Sequence, residues 1–402
     1  MERSILARFK AQFLRCKIQS NFFRVRSLIQ SKAIYQFIKS DGLTMVILAG
    51  EIGKQTTQLA LFTHKRDETE NRIVLDSLLV GHTFTTKDYA DQGMRKMVEE
   101  FLQNHHDGRE EIYGACFGIA SPINHGKAKI NAQDFSLSFT EHDLRQVFPY
   151  KNIPLAFIND MEAIGYGIFL GDGEDKLEEL YTAEYQSKPE DNRALMLVTD
   201  GLGQALWHSC SEGQKLKPIP SEGGHTDFGV SNDQDIELLK FLKRLKQDKG
   251  DNSPVSYEYV LSRPGLVRIY QFVKNLPEWG NQPDVNDADT IIQLAQSGNT
   301  LCKNALDQFI SIWGAQAGNL ALTYKAVGGV YIGGISIPIE ILKEGKFRDA
   351  FINKEGDFGE DNKKVSIKVF QEKDIVLWGA ARHAIESGFV TKGKFAIMRA
   401  NQ

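Results

Sequence analysis

The chain alternates short apolar runs with amphipathic segments, a pattern that predicts a mixed α/β protein. Two apolar runs separated by a tight turn predict a strand pair at the start of the body, and a third strand follows it. A helix, a buried strand and a second helix complete this first unit. These elements are expected, in order, at residues 45–50, 58–62, 72–80, 85–106, 112–123 and 138–148.

A second unit is expected from residue 153 onward, where a short apolar strand leads through Asn159–Asp160 into a helix. Residues 194–209 repeat the strand, tight turn, strand pattern of the opening hairpin. This internal echo indicates two related halves with a cleft between them. The later elements are predicted as helices at 233–250 and 287–325, a glycine-bracketed strand at 327–338, and a strand-like run leading into a helix at 374–388.

The composition fits a folded globular protein of two domains. The 402 residues are 42% apolar and 25% charged. There is no run of about 18 apolar residues, which argues against a membrane span. The cysteines are too far apart for a zinc motif, and we expect free thiols in the reducing cytoplasm. They are Cys16, Cys116, Cys210 and Cys302.

The charge is unevenly divided along the chain. Residues 1–44 carry +7 within a total of −4, so the remainder carries −11. The acidic remainder argues against nucleic acid as the main partner. The basic segment has three interpretations: an extension from an upstream start codon, a helical arm that touches an anionic surface, and, less favoured, a transit peptide.

Asp160 is the sharpest single candidate for catalysis. It lies where an apolar strand turns into a helix, a position from which a carboxylate can take a proton from a hydroxyl group. The competing interpretation is that Asn159 and Asp160 only cap the helix, since Asn and Asp are favoured caps. From the dipeptide alone, capping is the better supported of the two.

Two glycines between Glu222 and His225 predict a loop that can bring both side chains to one ligand. A carboxylate and an imidazole suit the neighbouring hydroxyl groups of a sugar, which both donate and accept hydrogen bonds. The alternative is a polar surface turn. Glu258, taken alone, is an ordinary helix acid.

Glycine turns occur at residues 50–57, 199–205 and 328–335, each beside an apolar strand. Such turns allow a phosphate group or a nucleotide to approach the backbone closely. No P-loop and no dinucleotide fingerprint is present. Each turn is weak evidence by itself; the three together with the acidic motifs are stronger.

The order of these motifs resembles bacterial-type glucokinases of the actin-like sugar-kinase superfamily, over residues 45–390. The most specific segments are "INDMEAIGYGI" and "SEGGHTDF". The resemblance implies a ribonuclease H-like fold of two α/β domains, with residues 45–158 and a C-terminal helix at 378–395 in the small domain and 159–377 in the large one. It also implies ATP with Mg²⁺ as phosphoryl donor, glucose as acceptor, and a cytoplasmic enzyme that could be a homodimer.

The same resemblance implies roles for individual residues. Asp160 would be the general base on the sugar's 6-hydroxyl group. The other sugar contacts would be Asn159, Glu222, His225, Glu258 and, if its loop shifts by one residue, Asn131. The nucleotide would lie along Gly50, Glu51, Gly53, Lys54, Thr56, Thr57, Gly201 and Gly203, with Gly333 and Gly334 near the adenosine.

Several positions depart from the family's usual pattern, most of them on the nucleotide side. Lys54 stands for a glycine, and Asp200 places a carboxylate where triphosphate is expected. Further differences lie at Gln55, Thr199, Arg263, Ile335 and, in the sugar loop, Ala132. We therefore expect an ATP-dependent glucokinase, with a sugar-binding homologue of weak or no activity as the alternative. A zinc-containing repressor-type relative is disfavoured by the scattered cysteines.

Overall fold

The computed structural model describes residues 44–400, apart from residues 70–71, 107–109, 133, 171–176, 210–214, 280–281 and 371–373. The basic segment 1–43, together with Cys16 and Cys210, lies outside the described residues. Cys116 and Cys302 are buried free thiols, as expected. Among the described residues, no helix has both the length and the apolar character needed to cross a membrane.

The first half of the chain builds a five-stranded sheet in the order β3-β2-β1-β4-β7. The central strand β1 is apolar on both faces and buried on both, as expected of a strand with structure packed on each side. The five strands are β1 (Thr44–Ile52), β2 (Thr56–Asp67), β3 (Arg72–Thr85), β4 (Glu110–Ile119) and β7 (Leu155–Asn159). Between β4 and β7, a separate pair is formed by β5 (Lys127–Asn131) and β6 (Ser136–Thr140).

The second half builds a six-stranded sheet in the order β11-β10-β9-β12-β13-β8. Its strands are β8 (Glu178–Tyr181), β9 (Arg193–Val198), β10 (Leu202–His208), β11 (Lys217–Ser221), β12 (Val330–Gly334) and β13 (Ile367–Phe370).

The similarity between the two halves that the sequence predicted is confirmed by the order of their strands. In the first sheet, β1 pairs antiparallel with β2 and parallel with β4. In the second, β9 pairs antiparallel with β10 and parallel with β12. Each sheet therefore contains a hairpin whose first strand also lies beside a parallel strand, and each hairpin turn carries one of the glycine motifs.

Helices pack on the two sheets, and the buried apolar side chains form two hydrophobic cores. The longest helix, α8, is apolar on nearly every side because it passes through the second core. In chain order the helices are α1 (Gly93–His105), α2 (Glu141–Arg145), α3 (Asp160–Phe169), α4 (Asp233–Gln247), α5 (Tyr257–Val260), α6 (Arg263–Lys274), α7 (Ala288–Gln296), α8 (Thr300–Thr323), α9 (Ile339–Leu342), α10 (Lys346–Ile352), α11 (Phe358–Lys363), α12 (Ile375–Glu386) and α13 (Phe389–Ala400). The domain boundary at residue 158 stays a prediction.

Three details of the predicted elements are wrong. The run that opens residues 374–388 is not a strand: α12 is helical from Ile375, and its apolar side chains pack against α3. Residues 138–140 belong to strand β6 rather than to the helix predicted there. Strands β5, β6, β8, β11 and β13 were not predicted. Each has only four or five residues, too few for their alternation to be distinguished from a loop.

Candidate active site

Asp160 lies at the junction between β7 and α3, where the sequence predicted it. The backbone N–H of Met161 donates to Asn159 Oδ1 at 3.0 Å and to Asp160 Oδ1 at 2.9 Å. Asn159 is therefore the helix cap, as the competing interpretation held. Asp160 is the first residue of the helix, and the bond from Met161 N–H engages only one of its two carboxylate oxygens.

Burial sets the proton affinity of Asp160. It raises the pKa of this carboxyl from 3.8 to about 6, against the lowering effect of the bond from Met161 N–H. The nearby Glu222 carboxylate raises it further. A carboxylate with a pKa near 6 is a stronger base than an exposed one, yet it is still mostly ionised at neutral pH.

Glu51, near the end of β1, is close enough to Asp160 for the charges of the two carboxylates to interact. Burial, followed by the charges of Asp374 and Asp160, raises the pKa of Glu51 to about 7. Asp374 precedes α12 in a left-handed conformation, and its Oδ1 is buried with no hydrogen-bond partner among the described residues. The sequence analysis missed Asp374, since only the fold brings it towards Glu51.

The sugar-binding candidates Glu222, His225 and Glu258 lie together. His225 Nε2 is 4.0 Å from Glu222 Oε2, and His225 Nδ1 is 3.8 Å from Glu258 Oε1. A short 3₁₀ turn, Gly223–His225, holds the imidazole between the two acids. The loop therefore places Glu222 and His225 side by side, with Glu258 next to them, and their role in binding a ligand stays a prediction.

Glu258 also touches the second phosphate turn. Its Oε2 accepts a hydrogen bond from the backbone N–H of Leu202 at 3.1 Å. Gly201 makes this approach possible, because a Cβ atom at that position would lie only 2.7 Å from the same oxygen. The candidate sugar acids and the candidate phosphate turn are thus parts of one connected site.

The first phosphate turn keeps a closed backbone despite its altered sequence. Gly53 N–H donates to the Thr56 carbonyl at 3.0 Å, and the Thr86 hydroxyl donates to the Gly53 carbonyl at 2.9 Å. The buried Thr57 hydroxyl forms a hydrogen bond of 2.9 Å with the Thr86 hydroxyl, so the Thr57 side chain stabilises the turn from its buried side. Lys54 and its neighbours Gln55 and Thr56 are exposed at the tip, whereas Gly50 is buried within β1.

The two phosphate turns meet each other at residues that depart from the family pattern. Gln55 Nε2 donates to Asp200 Oδ2 at 3.4 Å, across 145 residues of sequence. Thr199 anchors the second turn to α6 by accepting a backbone bond from Arg263, whose guanidinium group pairs with Asp289 at 2.6 Å. Nothing local in the sequence signals the contact between Gln55 and Asp200.

The remaining nucleotide candidates lie beside the second turn. Gly333 and Gly334 end strand β12, where they pair with Leu197 and Val198 of β9. Gly203 is the second residue of β10, the strand that follows the turn, and lies opposite Leu197. This places the third glycine motif next to the second, at one edge of the sheet.

Asn131 is the candidate that the structure does not join to the others. It is exposed at the end of β5 and pairs with Ser136 of β6. Ala132 is tied into the same hairpin by a backbone bond to Phe135. Within the described part of the chain, no contact links Asn131 to the other candidate residues.

Comparison with known proteins identifies the family. Residues 48–387 match the model of the family described as Glucokinase. A glucokinase of Nostoc sp. is 32% identical over 311 residues, which are 72% of this chain and 84% of that protein.

Solved structures agree with this result. The crystal structure of a glucokinase from an Antarctic psychrotroph matches with a TM-score of 0.68 and 28% identity, over 84% of this chain and 98% of that one. A glucokinase of the ROK family from Streptomyces griseus, in complex with glucose and AMPPNP, shares the fold with a TM-score of 0.54 at 15% identity, over 85% and 99% of the two chains. The resemblance drawn from the motifs is confirmed, and this chain belongs to the glucokinase family.

Proposed function

We propose that the chain transfers the γ-phosphoryl group of MgATP to the 6-hydroxyl group of glucose, with Asp160 as the general base. The observation that carries this proposal is Asp160 itself, a partly buried carboxylate with a pKa near 6 at the start of α3. The charge of Glu222 acts on it, and Glu222 belongs to the group of side chains suited to sugar hydroxyls.

In the proposed reaction, the proton of the 6-hydroxyl group passes to Asp160 as the hydroxyl oxygen attacks the γ-phosphorus. The bond from this phosphorus to the oxygen that bridges it to the β-phosphate breaks, and ADP leaves with both bonding electrons. Asp160 later releases the proton to water. Most of the catalysis in such transfers comes from positioning and from neutralisation of charge.

The sugar would be held by hydrogen bonds to its other hydroxyl groups. Glu222, Glu258 and Asn159 offer acceptors, and the imidazole of His225 offers either a donor or an acceptor. Asn131 would join them only by a movement of its hairpin. Because Glu258 also accepts from Leu202, a bound sugar is connected through one side chain to the second phosphate turn.

The triphosphate would lie between the two turns, near backbone N–H groups that do not depend on side-chain identity. Lys54 is exposed at the tip of the first turn, and its cation could reach the phosphate oxygens. Glu51, Asp160 and Asp200 place negative charge around this space. We therefore expect ATP to bind with Mg²⁺, which reduces the charge of the incoming nucleotide.

A coupled assay for glucose 6-phosphate tests the proposal, with the full chain, millimolar glucose and MgATP. The Asp160→Ala variant is the control. Its turnover should vanish, while its glucose affinity, measured by calorimetry, should stay within about tenfold of the parent value. Equal turnover in the two proteins would remove Asp160 from the mechanism. Glucose binding without turnover in the folded parent protein would instead establish the sugar-binding homologue.

Two further predictions concern the state of the protein. A cytoplasmic location and a homodimer follow from the sequence analysis only. Light scattering coupled to size-exclusion chromatography would distinguish a dimer of the 45.2 kDa chain from a monomer.

A further inference from the structure

A groove of about 460 Å³ opens beside the candidate sugar site, and most of the residues that line it have no part in the proposed reaction. His225 and Glu258 line it, whereas Asp160, Asn159 and Glu222 do not. A hexose that offered its 6-hydroxyl group to Asp160 and other hydroxyl groups to His225 and Glu258 would place those other hydroxyl groups beside the groove, because both side chains line it. The volume lies within the range of about 300–1,000 Å³ that small-molecule sites occupy.

Arg268 of α6 lines the groove, and its guanidinium group contacts an aromatic ring rather than a carboxylate. Its guanidinium group stacks on the ring of Tyr259, 3.8 Å from the centroid, and donates to the Tyr259 carbonyl at 2.8 Å. The side chain is partly buried, and the part of the chain that the structure describes provides no carboxylate partner for it. A guanidinium group has five N–H donors, so several remain for a ligand in the groove.

The charges around the groove indicate the class of ligand. Three carboxylates line it, those of Asp200, Asp227 and Glu258, against the two cations Arg268 and Lys246. Lys246 is already neutralised by an ion pair with Asp251 at 2.7 Å. This balance does not favour an anionic ligand. It supplies acceptors and donors side by side, which suits a neutral group with many hydroxyls.

We infer that the groove binds a second sugar unit attached to the hexose that is phosphorylated, so that disaccharides ending in glucose are acceptors as well as glucose. The inference rests on the proposed function, because Asp160 fixes the direction of the hexose. A glycosidic link through the anomeric carbon leaves the 6-hydroxyl group free. The transfer to that hydroxyl is then the same as with glucose, and the link between the sugars stays intact.

The test is to supply the full chain with MgATP and either glucose, maltose or cellobiose, and to measure ADP release. Mass spectrometry must show a disaccharide monophosphate, which excludes contaminating glucose as the acceptor. Replacing Arg268 with alanine should lower the ratio of kcat/KM for the disaccharide to that for glucose by about tenfold, as expected for the loss of a charged hydrogen bond. The matched control is Arg348→Ala, which removes a guanidinium group stacked 4.1 Å from the Tyr181 ring, outside the groove; its ratio should not change.

Two results would overturn the inference while leaving the kinase proposal in place. The first is glucose turnover with no disaccharide phosphate and no competition by either disaccharide. The second is an Arg268→Ala variant that changes both kcat/KM values equally, which would make Arg268 a support for α5. If glucose is not phosphorylated, calorimetry decides the question. Tighter binding of a disaccharide than of glucose supports the groove, and weaker or absent binding refutes it.

Discussion

The pH dependence of the reaction gives a direct test of the role of Asp160. A general base must be ionised, and burial raises the pKa of this carboxyl to about 6. We therefore expect kcat/KM for glucose to be level above pH 7 and to fall below pH 6 by about tenfold per pH unit, since one unit below the pKa only about one-tenth of the base is ionised.

Titration of Glu51 would also lower kcat/KM at acidic pH, giving a similar acid limb in the pH profile, because burial and the nearby acids raise the pKa of Glu51 to about 7. The Glu51→Gln variant separates the two groups. It keeps the size of the side chain and removes its titration. If Asp160 is the base, the acid limb persists in this variant with a midpoint near 6. Loss of the limb in Glu51→Gln, or a midpoint near 4 in both proteins, would refute the assignment.

The raised pKa of Asp160 also has a consequence for the stability of the fold. The pKa of Asp160 is higher in the folded state than the unfolded value of 3.8, so the folded state holds the proton more tightly. The stabilisation that this provides is complete below pH 3.8 and is lost as the pH rises through 6. The difference of about two pKa units corresponds to about 3 kcal/mol. Asp160→Asn should therefore be inactive yet more stable than the parent at pH 7 in urea denaturation, and a less stable variant would contradict the burial argument.

The remaining predictions concern three positions. Asp200→Thr removes a carboxylate from the second phosphate turn and should lower the KM for MgATP several-fold in steady-state kinetics; a higher KM would mean that Asp200 helps to hold the nucleotide. Gly201→Ala should raise the KM for glucose about tenfold, because its Cβ would lie 2.7 Å from Glu258 Oε2 and displace that carboxylate; an unchanged KM would separate Glu258 from the sugar. Gly165→Ala should lower the free energy of unfolding by about 3 kcal/mol, because its Cβ would come within 2.0 Å of the Trp207 ring, and a small change in a urea titration would show that the ring can move aside.

Local pattern was sufficient for most of the longer elements of the fold. The alternation of apolar residues located both hairpins, and the similarity between residues 45–62 and 194–209 indicated two related halves, whose sheets have a related strand order. The pattern failed where it conflicts with tertiary context. The run Ile375–Trp378 is rich in strand-forming side chains, yet it is the first turn of α12, because it fills the space between α3 and the first sheet.

The candidate site was predictable only where its residues are close in sequence. Short sequence motifs indicated two such pairs, Asn159 with Asp160 and Glu222 with His225. The neighbours that alter the chemistry of the site are remote. Asp374 reaches Glu51 only through the placement of α12, and no local pattern could have indicated this.

The altered phosphate turns do not by themselves argue for a loss of activity. Phosphate groups are bound at such turns mainly by backbone N–H groups, whose directions depend on the turn's conformation. Both turns keep their closing bonds, from Gly53 N–H to Thr56 and from Thr199 N–H to Gly201. The changed side chains at 54 and 200 are exposed at the turn tips, where they act on the charge around the phosphates and leave the turn backbones closed. The substitutions are therefore better explained as a change in how tightly the nucleotide is held than as the loss of its site.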